Sequence, residues 1–182
     1  MTQKADTLFT NAIVLTMDGK LTQYDPGAVA VKDDLIVAVG AESEITKEYT
    51  ADETIDCGGK VLMPGLVNAH THVPMTLLRG LADDLRLDVW LMGYMLPVER
   101  EFVTPEFVRL GTLLACAEQI RSGVTTFNDM YFFEDAIAQA TADAGMRAVC
   151  GQSVMKYPAP DAPSFEDSLA MAREFIKKWK GH

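Results

Sequence analysis

Apolar and polar positions alternate with a period of two through the first third of the chain. Side chains separated by two residues share one face of a strand, so this pattern predicts β structure. Leu8 to Met17 reads as a strand, with Ile13, Leu15 and Met17 alternating, and Asp18-Gly19 reads as a turn. Ala28 to Val31 and Leu35 to Val39 form two short strands around Lys32-Asp33-Asp34, a hairpin pattern. Glu42 to Tyr49 suits a short helix. Thr54-Ile55-Asp56 and Val61-Leu62-Met63 flank a turn at Cys57-Gly58-Gly59-Lys60. Residues 1–62 are therefore expected to form a small β-sheet unit, too small to be stable alone.

From residue 63 the period changes. Leu66 to His72 is a strand. Thr104-Pro105-Glu106 opens a helix, with Thr104 as N-cap and Pro105 in the first position. Phe107, Leu110, Leu113, Leu114, Ala117 and Ile120 form its expected buried stripe, and Gly123 closes it. Val124 to Phe127 is a second strand, Glu134 to Ala144 a second helix, and Arg147 to Cys150 a third strand. Ser164-x-x-Asp167 begins a third helix with Leu169, Ala172, Ile176 and Trp179 on one face. Residues 73–103 read as a long loop, and Pro158 to Pro163 as a stiff one. Strand and helix in strict succession imply parallel strands, in a doubly wound sheet or a (β/α) barrel. Ligands bind at the C-terminal ends of the strands in both folds. His70, His72, Asn128, Asp129, Gln152 and Ser153 all lie there.

Composition narrows the class. The chain has 182 residues, 48% of them hydrophobic, enough for a substantial core. Its net charge of −10 argues against nucleic acid and against anionic membrane surfaces as partners. Lys177, Lys178 and Lys180 suit a helix C-terminus rather than a binding patch. No stretch reaches the roughly 18 apolar residues of a membrane span, and residues 1–6 lack a signal-peptide core. Cys57, Cys116 and Cys150 show no metal-binding or redox spacing, and their sparse, odd number suits a reducing cytoplasm. No Gly-x-Gly-x-x-Gly or P-loop follows any strand, which disfavours nucleotide cofactors.

His70-Thr71-His72 holds two of the 3 histidines in the chain. On a strand this spacing points both imidazoles to one face, where they can share one metal ion. The alternative is a pair of strand histidines satisfied by backbone groups.

These residues also carry a resemblance. Met63-Pro64-Gly65-Leu66-Val67-Asn68-Ala69-His70-Thr71-His72, Pro74-Met75-Thr76-Leu77-Leu78-Arg79-Gly80, Asp88-Val89-Trp90-Leu91, Leu96-Pro97-Val98-Glu99 and Gly123 to Tyr131 resemble the amidohydrolase superfamily. The similar branch holds the deaminases of 5′-methylthioadenosine and S-adenosylhomocysteine and the triazine hydrolases. The resemblance implies an α/β fold, the N-terminal part of a (β/α)8 TIM barrel with about three βα units, preceded by a small β-sandwich-like sheet. The change of period divides the chain into residues 1–62 and residues 63–182, and both parts are covered by the resemblance. The resemblance implies that His70 and His72 hold one divalent ion, zinc or iron. Such an ion makes hydroxide available near neutral pH, for attack on C6 of an adenine nucleoside with loss of ammonia. It further implies that Trp90 packs on an apolar part of the substrate and that Glu99 accepts from ribose hydroxyls. Arg79 is expected in a structural ion pair, Asp129 as an organiser of the barrel mouth, and His182 in no role.

A (β/α) barrel takes about 250 residues, whereas about 120 follow Leu66 here. The chain is thus expected to be an N-terminal piece, with the acid–base residues and remaining ligands beyond residue 182. Two classes of function follow. One is a metal-dependent deaminase, cytoplasmic and homo-oligomeric in its full-length form, acting on a nucleoside; a chlorohydrolase or a guanine- or cytosine-type deaminase is the alternative within the superfamily. The other is a non-catalytic fragment that binds metal weakly and self-associates.

Overall fold

The computed structural model describes residues 2–182, and the chain divides after Pro64 into two compact units. The first is one mixed sheet of five strands. It comprises β1 (Gln3–Leu15), β2 (Gln23–Lys32), β3 (Leu35–Ala41), β4 (Tyr49–Asp56) and β5 (Val61–Leu62), in the order β3-β2-β1-β4, with β5 also beside β1. β1–β2 and β2–β3 are antiparallel, whereas β4 and β5 run parallel to β1. Helix α1 (Glu42–Glu48) links β3 to β4. Its Ile45 packs with Ala5, Leu8, Ala28, Ala30 and Tyr49, so alanines in the central strands make room for the helix.

The second unit holds three parallel strands, β6 (Leu66–Thr71), β7 (Val124–Tyr131) and β8 (Arg147–Gln152), in the order β6-β7-β8. Helices α4 (Pro105–Arg121) and α5 (Glu134–Asp143) make the crossovers, and α6 (Phe165–Trp179) follows β8. The Thr104 hydroxyl accepts from Phe107 N, and the Ser164 hydroxyl accepts from Asp167 N, which fixes the starts of α4 and α6. One face of β7 supplies the core: Phe127 and Tyr131 pack with Val108, Cys116, Ile137 and Met146. The opposite face is open, with Val67 66% and Val149 65% exposed, whereas Val124 packs against the core.

Three expectations change. Residues 73–103 are largely helical: a 3₁₀ turn at Val73–Leu78, then α2 (Leu87–Val89), a π-helical stretch at Trp90–Met95, and α3 (Leu96–Phe102). The buried face of α4 is not the leucine stripe but Val108, Gly111, Thr112, Ala115 and Cys116, and Leu110 is 47% exposed. The cause is the 3₁₀ turn. A Cβ on Gly111 would lie 2.5 Å from the Pro74 carbonyl oxygen, so a small-residue face is needed to seat that turn. On α6 the buried residues are Ser168 and Phe175, and Ile176 is exposed.

Candidate metal and substrate site

The site begins where β6 starts. A Cβ on Gly65 would fall 2.2 Å from the Thr125 side chain, so Pro64-Gly65 lets β6 enter flush against β7. The two strands then lose register. Asn68 pairs with Phe127 and Thr71 with Asp129, so β6 uses three residues where β7 uses two. The extra residue is a bulge at Ala69–His70, a device that re-aims side chains at the end of a strand. The Asn68 side chain accepts from His70 N at 3.4 Å, and the Asn128 amide donates to the Ala69 carbonyl at 3.1 Å.

The two imidazoles lie together, with ring centroids 5.1 Å apart and planes at 80°. His72 Nδ1 is 2.6 Å from the Met130 carbonyl oxygen. A carbonyl only accepts, so Nδ1 is the donor in this contact, and Nε2 is the nitrogen left to face a metal. A backbone carbonyl on the second ring nitrogen is how proteins orient a histidine for a metal.

Behind the pair lies Asp129, 2% exposed. Its Oδ1 accepts from Val73 N at 2.7 Å and from the Thr71 hydroxyl. Burial raises the Asp129 carboxyl above its usual range, and these hydrogen bonds and the two histidines oppose that rise. Both bonds tie the segment from Thr71 to Val73 to the end of β7.

Glu99, on α3, is brought to the same place. It is only 5% exposed, and its Oε1 accepts from the Tyr131 hydroxyl at 2.9 Å. The Tyr131 ring lies 6.4 Å from that of His72. Burial pushes the Glu99 carboxyl up, and the Tyr131 hydrogen bond and the nearby His72 pull it down. Trp90 opens the π-helical stretch two turns before Glu99 and is half-buried. Among the described residues no hydrogen bond or ring contact joins it to the histidines or to Glu99.

Tyr131 was missed in the sequence. Its signal was the alternation Phe127, Asp129, Tyr131, which puts all three on one face of β7. Glu134 was missed as well. It is fully buried, its Oε2 accepts from Tyr131 N at 3.1 Å, and burial together with the nearby Asp129 carboxylate pushes its carboxyl up to about 8. Gln152 is structural: its side chain accepts from Glu134 N and donates to Asp161, which also receives Phe133 N. Ser153 contributes its backbone, with its carbonyl accepting from the Ser168 hydroxyl. Arg79 forms a two-pronged ion pair with Glu118, at 3.0 and 2.7 Å. His182 stacks edge-on against Trp179, away from the site. A groove of about 780 Å³ between α5, β8 and α6 contains none of His70, His72 or Glu99.

Two neighbouring imidazoles beside a bulge in β6 thus lie at the C-terminal edge of a parallel βα sheet, the edge at which such folds bind ligands. The amidohydrolase family matches residues 61–182, and the chain belongs to it. A 5-methylthioadenosine/S-adenosylhomocysteine deaminase of Syntrophobacter fumaroxidans is 48% identical over 97% of this chain and 40% of its own length. A 5'-deoxyadenosine deaminase of Methanosarcina mazei is 44% identical over 97% of this chain and 39% of its own. The crystal structure of an adenosine deaminase from Xanthomonas campestris, with bound zinc, superposes with a TM-score of 0.94 at 39% identity, covering 100% of this chain and 42% of that one. The chain thus spans about 40% of the length of the curated relatives it matches. The fold is α/β, the N-terminal part of a (β/α)8 TIM barrel preceded by a small sheet. Members of the family bind a divalent metal. The donor set here fits such an ion in part: His70 and His72 offer two imidazoles, and no group of three metal-binding side chains occurs among the described residues.

Proposed function

We propose that this chain is the metal- and ribose-binding portion of a hydrolytic deaminase acting on an adenine nucleoside such as 5′-methylthioadenosine or S-adenosylhomocysteine. The observation that carries the reading is the convergence of His70, His72 and Glu99 through Tyr131, which joins a metal-type donor pair to a buried acceptor. His70 and His72 would hold the ion, His72 through Nε2. When bound, a divalent ion supplies Lewis acidity that activates water near neutral pH.

Glu99, held by the Tyr131 hydroxyl, has its second carboxylate oxygen free to accept from a ribose hydroxyl. Trp90 would pack on an apolar part of the nucleoside. In the net reaction water adds at C6 of the adenine, the C6–N bond breaks and ammonia leaves. The carboxylate that moves the protons is assigned to the parent protein outside residues 1–182. We place that protein in the cytoplasm, a setting that three free, sparse cysteines support, and read its full-length form as a homo-oligomer. No helix among the described residues is long and apolar enough to cross a membrane.

Two imidazoles leave a metal half-coordinated, so residues 1–182 alone are expected to bind metal weakly and not to turn over. The test is to assay the gene product that carries these residues with 5′-methylthioadenosine, S-adenosylhomocysteine and guanine, alongside metal analysis. Turnover of the adenine nucleosides with about one zinc or iron per chain is the expected result. Preference for guanine, or deamination by residues 1–182 alone, overturns the reading.

A further inference from the structure

We propose that Asp129 is the residue that positions the His-x-His segment for its metal, by tying the residues on both sides of His72 to the end of β7. This rests on the metal-site reading above. The sheet itself does not hold His72. The β6–β7 ladder skips a residue at the bulge and ends at Thr71, and His72 then leaves the strand with φ −134° and ψ 72°.

The 3₁₀ turn that follows needs a cap, because its first amides have no partner within the turn. His72 provides none from its side chain. Asp129 Oδ1 reaches across from the neighbouring strand and takes Val73 N at 2.7 Å, while the same oxygen takes the Thr71 hydroxyl. Thr71 also approaches the Asn128 carbonyl at 3.0 Å, and His72 Nδ1 meets the Met130 carbonyl at 2.6 Å. Three consecutive residues of β7 thus hold three consecutive residues after the bulge. Asp129 is the member of that set that grips two positions with one atom.

Burying a carboxylate is costly, and an amide or hydroxyl would cap a turn as well. Asp129 is 2% exposed, and its Oδ2 has no hydrogen-bond partner. The fold therefore carries a half-satisfied buried carboxylate at this point. Its Oδ1 is spent wholly on the flanks of a candidate ligand, which suits placement of that ligand better than general cohesion.

The experiment uses the full gene product, stripped of metal, in four forms: wild type, Asp129→Ala, Asp129→Asn and Thr71→Val. Zinc affinity is measured by competition with a chelating dye, and the ligand field is read from the visible spectrum of the cobalt-loaded protein. Loss of a residue that orients a metal ligand weakens binding about 10- to 100-fold. Asp129→Ala is expected to show that loss and an altered cobalt spectrum, with the nucleoside KM changed by less than about threefold. Asp129→Asn keeps an acceptor at Oδ1 and should recover most of the affinity. Thr71→Val removes one of the two bonds and should fall between.

A folded Asp129→Ala protein with wild-type affinity and spectrum overturns the proposal, as does an Asn variant no better than Ala. Should Asp129→Ala not fold, Thr71→Val decides: weakened zinc binding supports the proposal and unchanged binding overturns it. Wild-type protein that binds no zinc, or binds it as well after His72→Ala, overturns the metal-site reading and this proposal together. Wild-type binding that needs His72 but ignores Asp129 and Thr71 overturns this proposal alone.

Discussion

The two faces of the parallel sheet use the same strands for opposite ends. On the helix-covered face, Phe127, Asp129 and Tyr131 of β7 are buried with Glu134 and Ile137; the Tyr131 hydroxyl, Asp129 Oδ1 and Glu134 Oε2 are bonded within the protein, whereas Asp129 Oδ2 and Glu134 Oε1 have no hydrogen-bond partner. On the open face, the end of β6 presents His70 and His72, beside exposed Val67, Met130 and Val149. The closed face holds the open one in place. Asp129 and the Met130 carbonyl reach from β7 to the segment that carries the imidazoles, and Tyr131 steadies Glu99 beside them. A strand that alternates sides can anchor on one and present chemistry on the other, because its side-chain period is two.

Substitutions divide along that comparison. The largest effect is expected on the closed face. Phe127→Ala leaves a cavity among Val108, Cys116 and Ile137 and should cost about 3–5 kcal/mol of stability, read from urea unfolding of the gene product. A loss under about 1 kcal/mol would mean that this face is not the dry core described.

Next is Glu134, on the closed face but charged at high pH. Its carboxyl is pushed up to about 8, above its unfolded value. The native state therefore binds the proton more tightly, so the stability it lends is fully present below about pH 4.5 and is lost as pH rises through about 8. Glu134→Gln should flatten the decline in stability between those limits, an effect on the order of a few kcal/mol at its upper end. A wild-type slope in the variant would contradict the burial.

Glu99 bridges the two faces. Glu99→Gln retains an acceptor for the Tyr131 hydroxyl but loses the charge that the proposed ribose contact relies on. It should raise the nucleoside KM about ten- to a hundredfold, with a smaller change in kcat. An unchanged KM would remove Glu99 from the ribose site.

The smallest effect is at the surface. Arg79 and Glu118 form a well-shaped pair, but both side chains are largely in water. Arg79→Ala should shift stability by no more than about 1 kcal/mol and leave turnover unaltered. A large loss of activity would draw Arg79 into the site.

Much of this was legible in the sequence where the signal is local. The Thr104 and Ser164 caps depend on residues three apart, and both form as read. The succession of βα elements after residue 62 follows from the change of hydrophobic period. The leucine stripe of α4 misled because larger side chains dominate a periodicity, whereas the contact that matters here is a close approach. Gly111 and Ala115 give the 3₁₀ turn its seat, and small residues carry little hydropathy signal. The helices between residues 87 and 102 were missed because Pro97 and Gly93 break the pattern there, and a π-helical stretch has no 3.6-residue period to detect.

By itself the sequence determined the βα succession after residue 62 apart from the helices at 73–102, the starts of α4 and α6, and that two imidazoles fall at one strand end with an acidic residue further along. Those are short-range facts, set by the backbone preferences and hydrophobic spacing of neighbouring residues. Only the tertiary structure decided that β4 and β5 lie parallel to β1, that a bulge turns His70 beside His72, and that Tyr131 brings Glu99 to them across 32 residues of chain. Strand partners, register and buried hydrogen bonds depend on which groups meet when the chain closes on itself. Nothing in the spacing of neighbours encodes that distance.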